Sequence, residues 1–137
     1  MNYLPEADAK QLLEEARKAC GHTYSPYSDF PVGAAVRMKD GAVFIGTNIE
    51  NASYGVTICA ERMAIGNAIV HTGNGKEIEA IAIYSPADSI APCGAYRQFI
   101  VEFGRHIVII FKYEQHVIQK TIHELLPFAF VLPAHEG

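Results

Sequence analysis

Two short segments carry the side chains most suited to chemistry: Cys59-Ala60-Glu61-Arg62, and Pro92-Cys93-Gly94-Ala95-Tyr96-Arg97-Gln98. Each stands where a helix is expected to begin. A cysteine at a helix N-terminus faces free backbone N–H groups and the positive end of the helix dipole. The Cys59 thiol is therefore expected to have a lowered pKa and to bind metal well. Glu61 leaves the same first turn in a different direction, and a carboxylate there suits proton transfer. In the second segment, positions 93 and 96 share a helical face. Either segment alone is ordinary, since a cysteine beside alanine is commonly a small buried hydrophobe and Pro-Cys-Gly is commonly a turn. Together, in this order and each opening a helix, they point to one shared site.

The elements that must position these residues follow from periodicity and punctuation. Residues 5–20 read as an opening helix, with proline near its start, Leu12, Leu13, Ala16 and Cys20 at helical spacing, and Gly21 at its stop. A loop over 23–30 follows. Residues 32–38 and 43–48 predict a hairpin around Lys39-Asp40-Gly41. Helices are expected over 59–70 and 93–103. The near-continuous apolar run in 77–84 predicts a strand buried on both faces, with further strands at 106–111 and, more weakly, at 116–120. Thr121-Ile122-His123-Glu124 matches a capping box opening a short last helix. Strands alternating with helices after a hairpin predict an α/β sandwich with a mixed sheet of five strands, in one domain over 1–137.

Composition narrows the function classes. Fifteen acidic against 11 basic residues, a net charge of −4, argue against a nucleic-acid or anionic-membrane surface, either of which needs a basic patch. No apolar run is long enough to span a bilayer, and the first ten residues hold no signal core, so a soluble cytoplasmic protein is expected. Three cysteines make a disulfide framework unattractive and leave thiol or metal chemistry open. Cys20 reads as core. The six histidines, at 22, 71, 106, 116, 123 and 135, show no paired ligand spacing and read as surface or structural.

Zinc deaminases place one Cys or His two residues before a Glu, followed later by Pro-Cys-x-x-Cys. Most of that pattern is present here. Around it stand Tyr27-Ser-Asp-Phe30-Pro-Val-Gly-Ala-Ala35, Asn48-Ile-Glu50-Asn51-Ala52-Ser-Tyr54, and Glu124-Leu-Leu-Pro127 with Phe130. On these segments the sequence resembles the short, homotetrameric, zinc-dependent cytidine deaminases over nearly its whole length. The resemblance implies a three-layer α/β/α sandwich and deamination of cytidine and 2′-deoxycytidine in pyrimidine salvage. It implies Zn2+ held by Cys59 and Cys93, with Glu61 carrying protons to N3 and the departing amine. It further implies that the Ala60 N–H binds the base carbonyl, the Ala91 carbonyl accepts from the exocyclic amine, and Asn48 and Glu50 grip the ribose. Phe30 would lie beside the base. Ala52, Tyr54 and Phe130 would reach a neighbouring subunit's pocket, and Arg62 would hydrogen-bond the cysteine ligands.

The pattern breaks at Tyr96, where the resemblance calls for a third cysteine ligand. A phenol can bind metal, but its ordinary pKa of about 10 must fall far for tyrosinate to form. Its oxygen also lies further from the backbone than a cysteine sulfur, so it is expected to overshoot the metal unless the helix start shifts. Three explanations stand. The zinc site is weakened but active; or the chain is a metal-free, catalytically silent nucleoside binder; or the natural chain carries cysteine at position 96. A deaminase of a modified cytosine nucleoside is a further alternative.

Overall fold

The computed structural model describes residues 3–87 and 89–132; His135 lies outside the described residues. Five strands form one mixed sheet in the order β2-β1-β3-β4-β5. They are β1 (Gly33–Met38), β2 (Val43–Thr47), β3 (Ile78–Tyr84), β4 (Val108–Tyr113) and β5 (His116–Thr121). The β1–β2, β1–β3 and β4–β5 pairs are antiparallel, and β3–β4 is parallel. Among the described residues four α-helices cover the sheet: α1 (Glu6–Cys20), α2 (Ala60–Thr72), α3 (Gly94–Val101) and α4 (Ile122–Leu125).

The period-two alternation of the strands sorts side chains into two cores. Ala35, Ala80, Ala82, Val108 and Ile110 meet Leu12, Leu13 and Ala16 of α1 on one face. Ala34, Val36, Ile81, Ile83 and Ile109 meet Ala64, Ile65, Ala68, Ile100 and Ile122 of the other three helices on the opposite face. The result is the expected three-layer α/β/α sandwich. The face under α1 is rich in alanine, which lets that helix approach closely. A Cβ at Gly33 would lie 2.0 Å from the Ala16 carbonyl oxygen, so only glycine fits there.

Several boundaries move from their expected places for local reasons. Helix α2 runs on to Thr72 and stops at Gly73, which takes a left-handed φ of 70° and donates its N–H to the Ile69 carbonyl at 2.7 Å. Helix α3 ends at Val101 rather than 103, because Phe103 and Gly104 turn back onto the Ile100 and Val101 carbonyls. Strand β4 begins at Val108, two residues later than expected, and continues through Lys112 and Tyr113. Pairing with β5, not hydropathy, sets that end: Tyr113 faces His116 across a two-residue turn in which Glu114 and Gln115 both have positive φ. The capping box forms as expected, with the Glu124 N–H on the Thr121 hydroxyl at 3.1 Å and the Thr121 N–H on the Glu124 carboxylate at 2.9 Å. Cys20 is buried at the end of α1.

Candidate active site

The starts of α2 and α3 converge on one cavity of about 400 Å3 beside the Val32 end of β1 and the Ile83 end of β3. Cys59 is the N-cap of α2 and Cys93 the N-cap of α3. Both line the cavity, as do Glu61, Ala60, Ala91 and Tyr96, and so do Phe30, Asn48 and Glu50 from the other side. Nine positions chosen from the sequence therefore meet at one place.

The start of α2 is held against the sheet by the absence of a side chain. A Cβ at Gly46 would sit 2.4 Å from the Ala64 nitrogen and 2.6 Å from the Ala60 carbonyl oxygen. That approach buries Ala60 completely and leaves Glu61 only 6% exposed. Burial pushes the Glu61 carboxyl above its ordinary range, opposed by a hydrogen bond from its own backbone N–H.

Asn48 and Glu50 have a structural task as well as a place in the cavity. The buried Asn48 side chain donates to the Phe30 carbonyl at 2.9 Å and accepts from the Val32 N–H at 3.0 Å and from the Thr23 hydroxyl. Glu50 accepts the Tyr27 and Ser28 N–H groups at 2.9 and 3.1 Å, and the Ser28 hydroxyl as well. These bonds, the Ser28 hydroxyl first, hold the Glu50 carboxyl below its ordinary range. Together they clamp the 23–32 loop, which carries Phe30 to the cavity through a left-handed Asp29 with φ of 54°. Thr23, Ser28 and Gly46 are contributors that sequence reasoning did not single out. Only the run of turn-forming residues around Ser28 signalled a shaped loop, and it did not say what the loop gripped.

Three expected positions lie away from this cavity. Ala52 and Phe130 do not line it, and Tyr54 lines an adjoining depression with Tyr27, Ser28, Glu50 and Thr57. Tyr54 and Phe130 are 75% and 69% exposed. The Phe130 backbone is tied at both its N–H and its carbonyl to the Gln98 amide. None of the described histidines lines the cavity; His71 stacks on Phe44 with centroids 5.3 Å apart.

One expectation about the α2 start is corrected. The Cys59 thiol is raised, not lowered, from its ordinary pKa. Burial dominates, the Tyr96 hydroxyl opposes it, and the nearby charges of Glu61 and Cys93 raise it further. The favourable end of a helix does not outweigh loss of solvent and two acidic neighbours. Arg62 is exposed, and its charge is the smallest influence on Cys59, in the lowering direction. Tyr96 is half-buried and lines the cavity beside Cys59 and Cys93. Burial first, then the neighbouring Cys59 thiol, push its pKa up to about 12. The phenol therefore keeps its proton at neutral pH.

Comparison with known proteins gives a consistent picture. Residues 6–112 match the profile of the family described as cytidine and deoxycytidylate deaminase, zinc-binding region. A protein named cytidine deaminase from Halalkalibacterium halodurans is 42% identical over 126 residues, 90% of this chain and 94% of that one. Another so named, from Sporosarcina psychrophila, is 39% identical over 90% of this chain and 91% of its own length. The crystal structure of cytidine deaminase from Burkholderia pseudomallei superposes with a TM-score of 0.83 at 41% identity, covering 88% of this chain and 98% of that one.

The zinc that such a profile implies can be tested against the donors present. Catalytic zinc takes three protein ligands and keeps a fourth position open. Here two thiols face the cavity, and the third group is a protonated phenol. Among the described residues no three Cys, His, Asp or Glu side chains are grouped to hold a metal. The donor set does not fit a resident zinc.

Proposed function

From the premise that this chain belongs to the cytidine and deoxycytidylate deaminase family, we propose that it deaminates cytidine and 2′-deoxycytidine hydrolytically. Cytidine and water give uridine and ammonia. The observation that carries this reading is the buried Glu61 beside the α2 start, in a cavity shared with Phe30, Asn48, Glu50 and Ala91. A carboxylate whose pKa is lifted by burial is a stronger base, suited to taking up a proton and handing it on. Glu61 draws a proton from water as its oxygen bonds to C4 and delivers that proton to N3; it then moves the proton left on the added hydroxyl to the amine, so that the C4–N bond breaks, ammonia leaves and the C4 carbonyl forms. The Ala60 N–H holds the base carbonyl, the Ala91 carbonyl accepts from the exocyclic amine, and Phe30 lies against the ring. Asn48 and Glu50 receive the ribose hydroxyls with the hydrogen-bonding capacity that the loop leaves free.

The assembly we propose is a homotetramer, in which Ala52, Tyr54 and Phe130 turn toward a neighbouring copy's pocket. Their exposure in the single chain supports this. Phe130→Ala is then expected to raise the KM for cytidine several-fold, and light scattering to give four chains per particle; a monomer at micromolar concentration would refute the assembly. No described helix is long and apolar enough to cross a membrane. With the acidic net charge, that supports a cytoplasmic place in pyrimidine salvage.

The absorbance change on conversion of cytidine to uridine, with and without added zinc, tests the activity directly. Turnover abolished by Glu61→Gln is the expected result, and no turnover under any condition would remove the enzyme reading. One observation favours a second reading, a nucleoside binder without turnover: a phenol, Tyr96, stands with Cys59 and Cys93 in the cavity lining where a third thiolate is wanted.

A further inference from the structure

Cys59, Cys93 and Tyr96 line the same cavity, and they come from the two helix starts that converge on it. Tyr96 stands where a third thiolate would complete the set with Cys59 and Cys93, and it brings a bulky phenol into the cavity those two thiols line. No third Cys, His, Asp or Glu joins the two thiols among the described residues. The nearest carboxylate, Glu61, is buried in the first turn of α2. We infer that Tyr96 closes the metal position of this pocket and that the protein is metal-poor as it stands.

The coordination chemistry supports this directly. A zinc ion held by two protein donors leaves half of a tetrahedral shell to water, and such an ion exchanges readily. To enter it must also share the cavity with an aromatic ring that is already half-buried there. Replacing that ring with a short thiol does two things at once: it frees the space and supplies the missing donor. The backbone is ready for it, because positions 93 and 96 open α3 on one helical face. Nothing about the fold depends on the exchange. The first turn of α3 is solvent-facing at Cys93, Gly94 and Ala95, and Arg97 anchors it from behind on the Pro92 and Leu125 carbonyls at 2.8 and 3.0 Å.

The inference stands apart from the proposed turnover, because its readout is metal. Full-length protein is incubated with zinc, desalted, and its metal measured by mass spectrometry. Cobalt(II) serves as a second probe, since its charge-transfer absorption grows with each bound thiolate. The unaltered chain is expected to retain a small fraction of an equivalent. Tyr96→Cys is expected to retain about one zinc per chain, as a three-ligand site does, with a strong thiolate–cobalt band. Tyr96→Phe, which removes only the hydroxyl, is expected to stay metal-poor. Tyr96→His, offering a nitrogen ligand from the same position, is the second gain-of-metal variant should the Cys form precipitate. The inference is overturned if the unaltered chain keeps a full equivalent through desalting. It is also overturned if Tyr96→Phe gains one, or if folded Tyr96→Cys and Tyr96→His both stay empty. Cytidine turnover can succeed or fail independently of each outcome.

Discussion

The two helix starts that build the pocket are held in opposite ways. The first turn of α2 is pressed backbone to backbone against β2 at Gly46, with Ala60 and Ala64 completely buried and Glu61 nearly so. The first turn of α3 stands in solvent: Cys93, Gly94 and Ala95 are exposed, and a Cβ at Gly94 would meet nothing within 4 Å. A group that moves protons must be held to a fraction of an ångström, and close-packed backbone does that. A helix start at the surface tolerates a change of side chain without cost to the core. That difference explains how a tyrosine can stand at position 96 while every layer of the sandwich stays intact.

The comparison breaks outright if its buried half is not the chemical half. Glu61→Gln keeps the shape but cannot shuttle a proton, and turnover is expected to fall by more than the roughly 10²–10⁴-fold typical of one acid–base group. A variant retaining more than about a tenth of parent turnover would remove Glu61 from its role.

Gly46→Ala probes the contact that seats Glu61. The added methyl meets backbone atoms of α2, not a flexible side chain, so the helix start must shift. A cost of about 1–3 kcal/mol is expected from overpacking, read as a lower Tm, with kcat falling more than KM rises. Unchanged kinetics would show that α2 has slack here.

The loop facing both helix starts is expected to loosen in acid. The folded-state pKa of Glu50 is lowered, so its bracing is fully present above the ordinary glutamate pKa and is lost as pH falls through the lowered value. Uridine, whose base does not titrate in that range, is expected to bind several-fold more weakly below about pH 4. Glu50→Gln is expected to bind weakly throughout, with a flatter pH dependence. Parent affinity that stays level into acid would count against the clamp.

The smallest effect is expected at Gly94→Ala, the exposed counterpart of Gly46→Ala. Open space and a helical position predict a change within about 0.5 kcal/mol, on the stabilising side. A loss comparable to that at Gly46 would erase the contrast between the two helix starts.

Much of this was legible from residue order. The alternation of Ala34, Ala35 and Val36, and of Ala80 through Ile83, is a backbone property of strands and declares both cores. Cys59, Glu61 and Cys93 stand out through their resemblance to the zinc-deaminase pattern, whose spacing is local in sequence. What spacing could not carry were quantities set by partners distant in sequence. Burial, with Glu61 and Cys93 nearby, reverses the expected direction of the Cys59 pKa. Asn48 and Glu50 look like surface polar groups in one dimension, yet they grip a loop some twenty residues earlier in the chain. Tyr96 shows the division most clearly. Its identity alone declares that a thiolate donor is missing, since no phenol is a cysteine. Only the packing of α3 against α2 decides where its hydroxyl goes, because reach, burial and neighbours belong to the folded pocket.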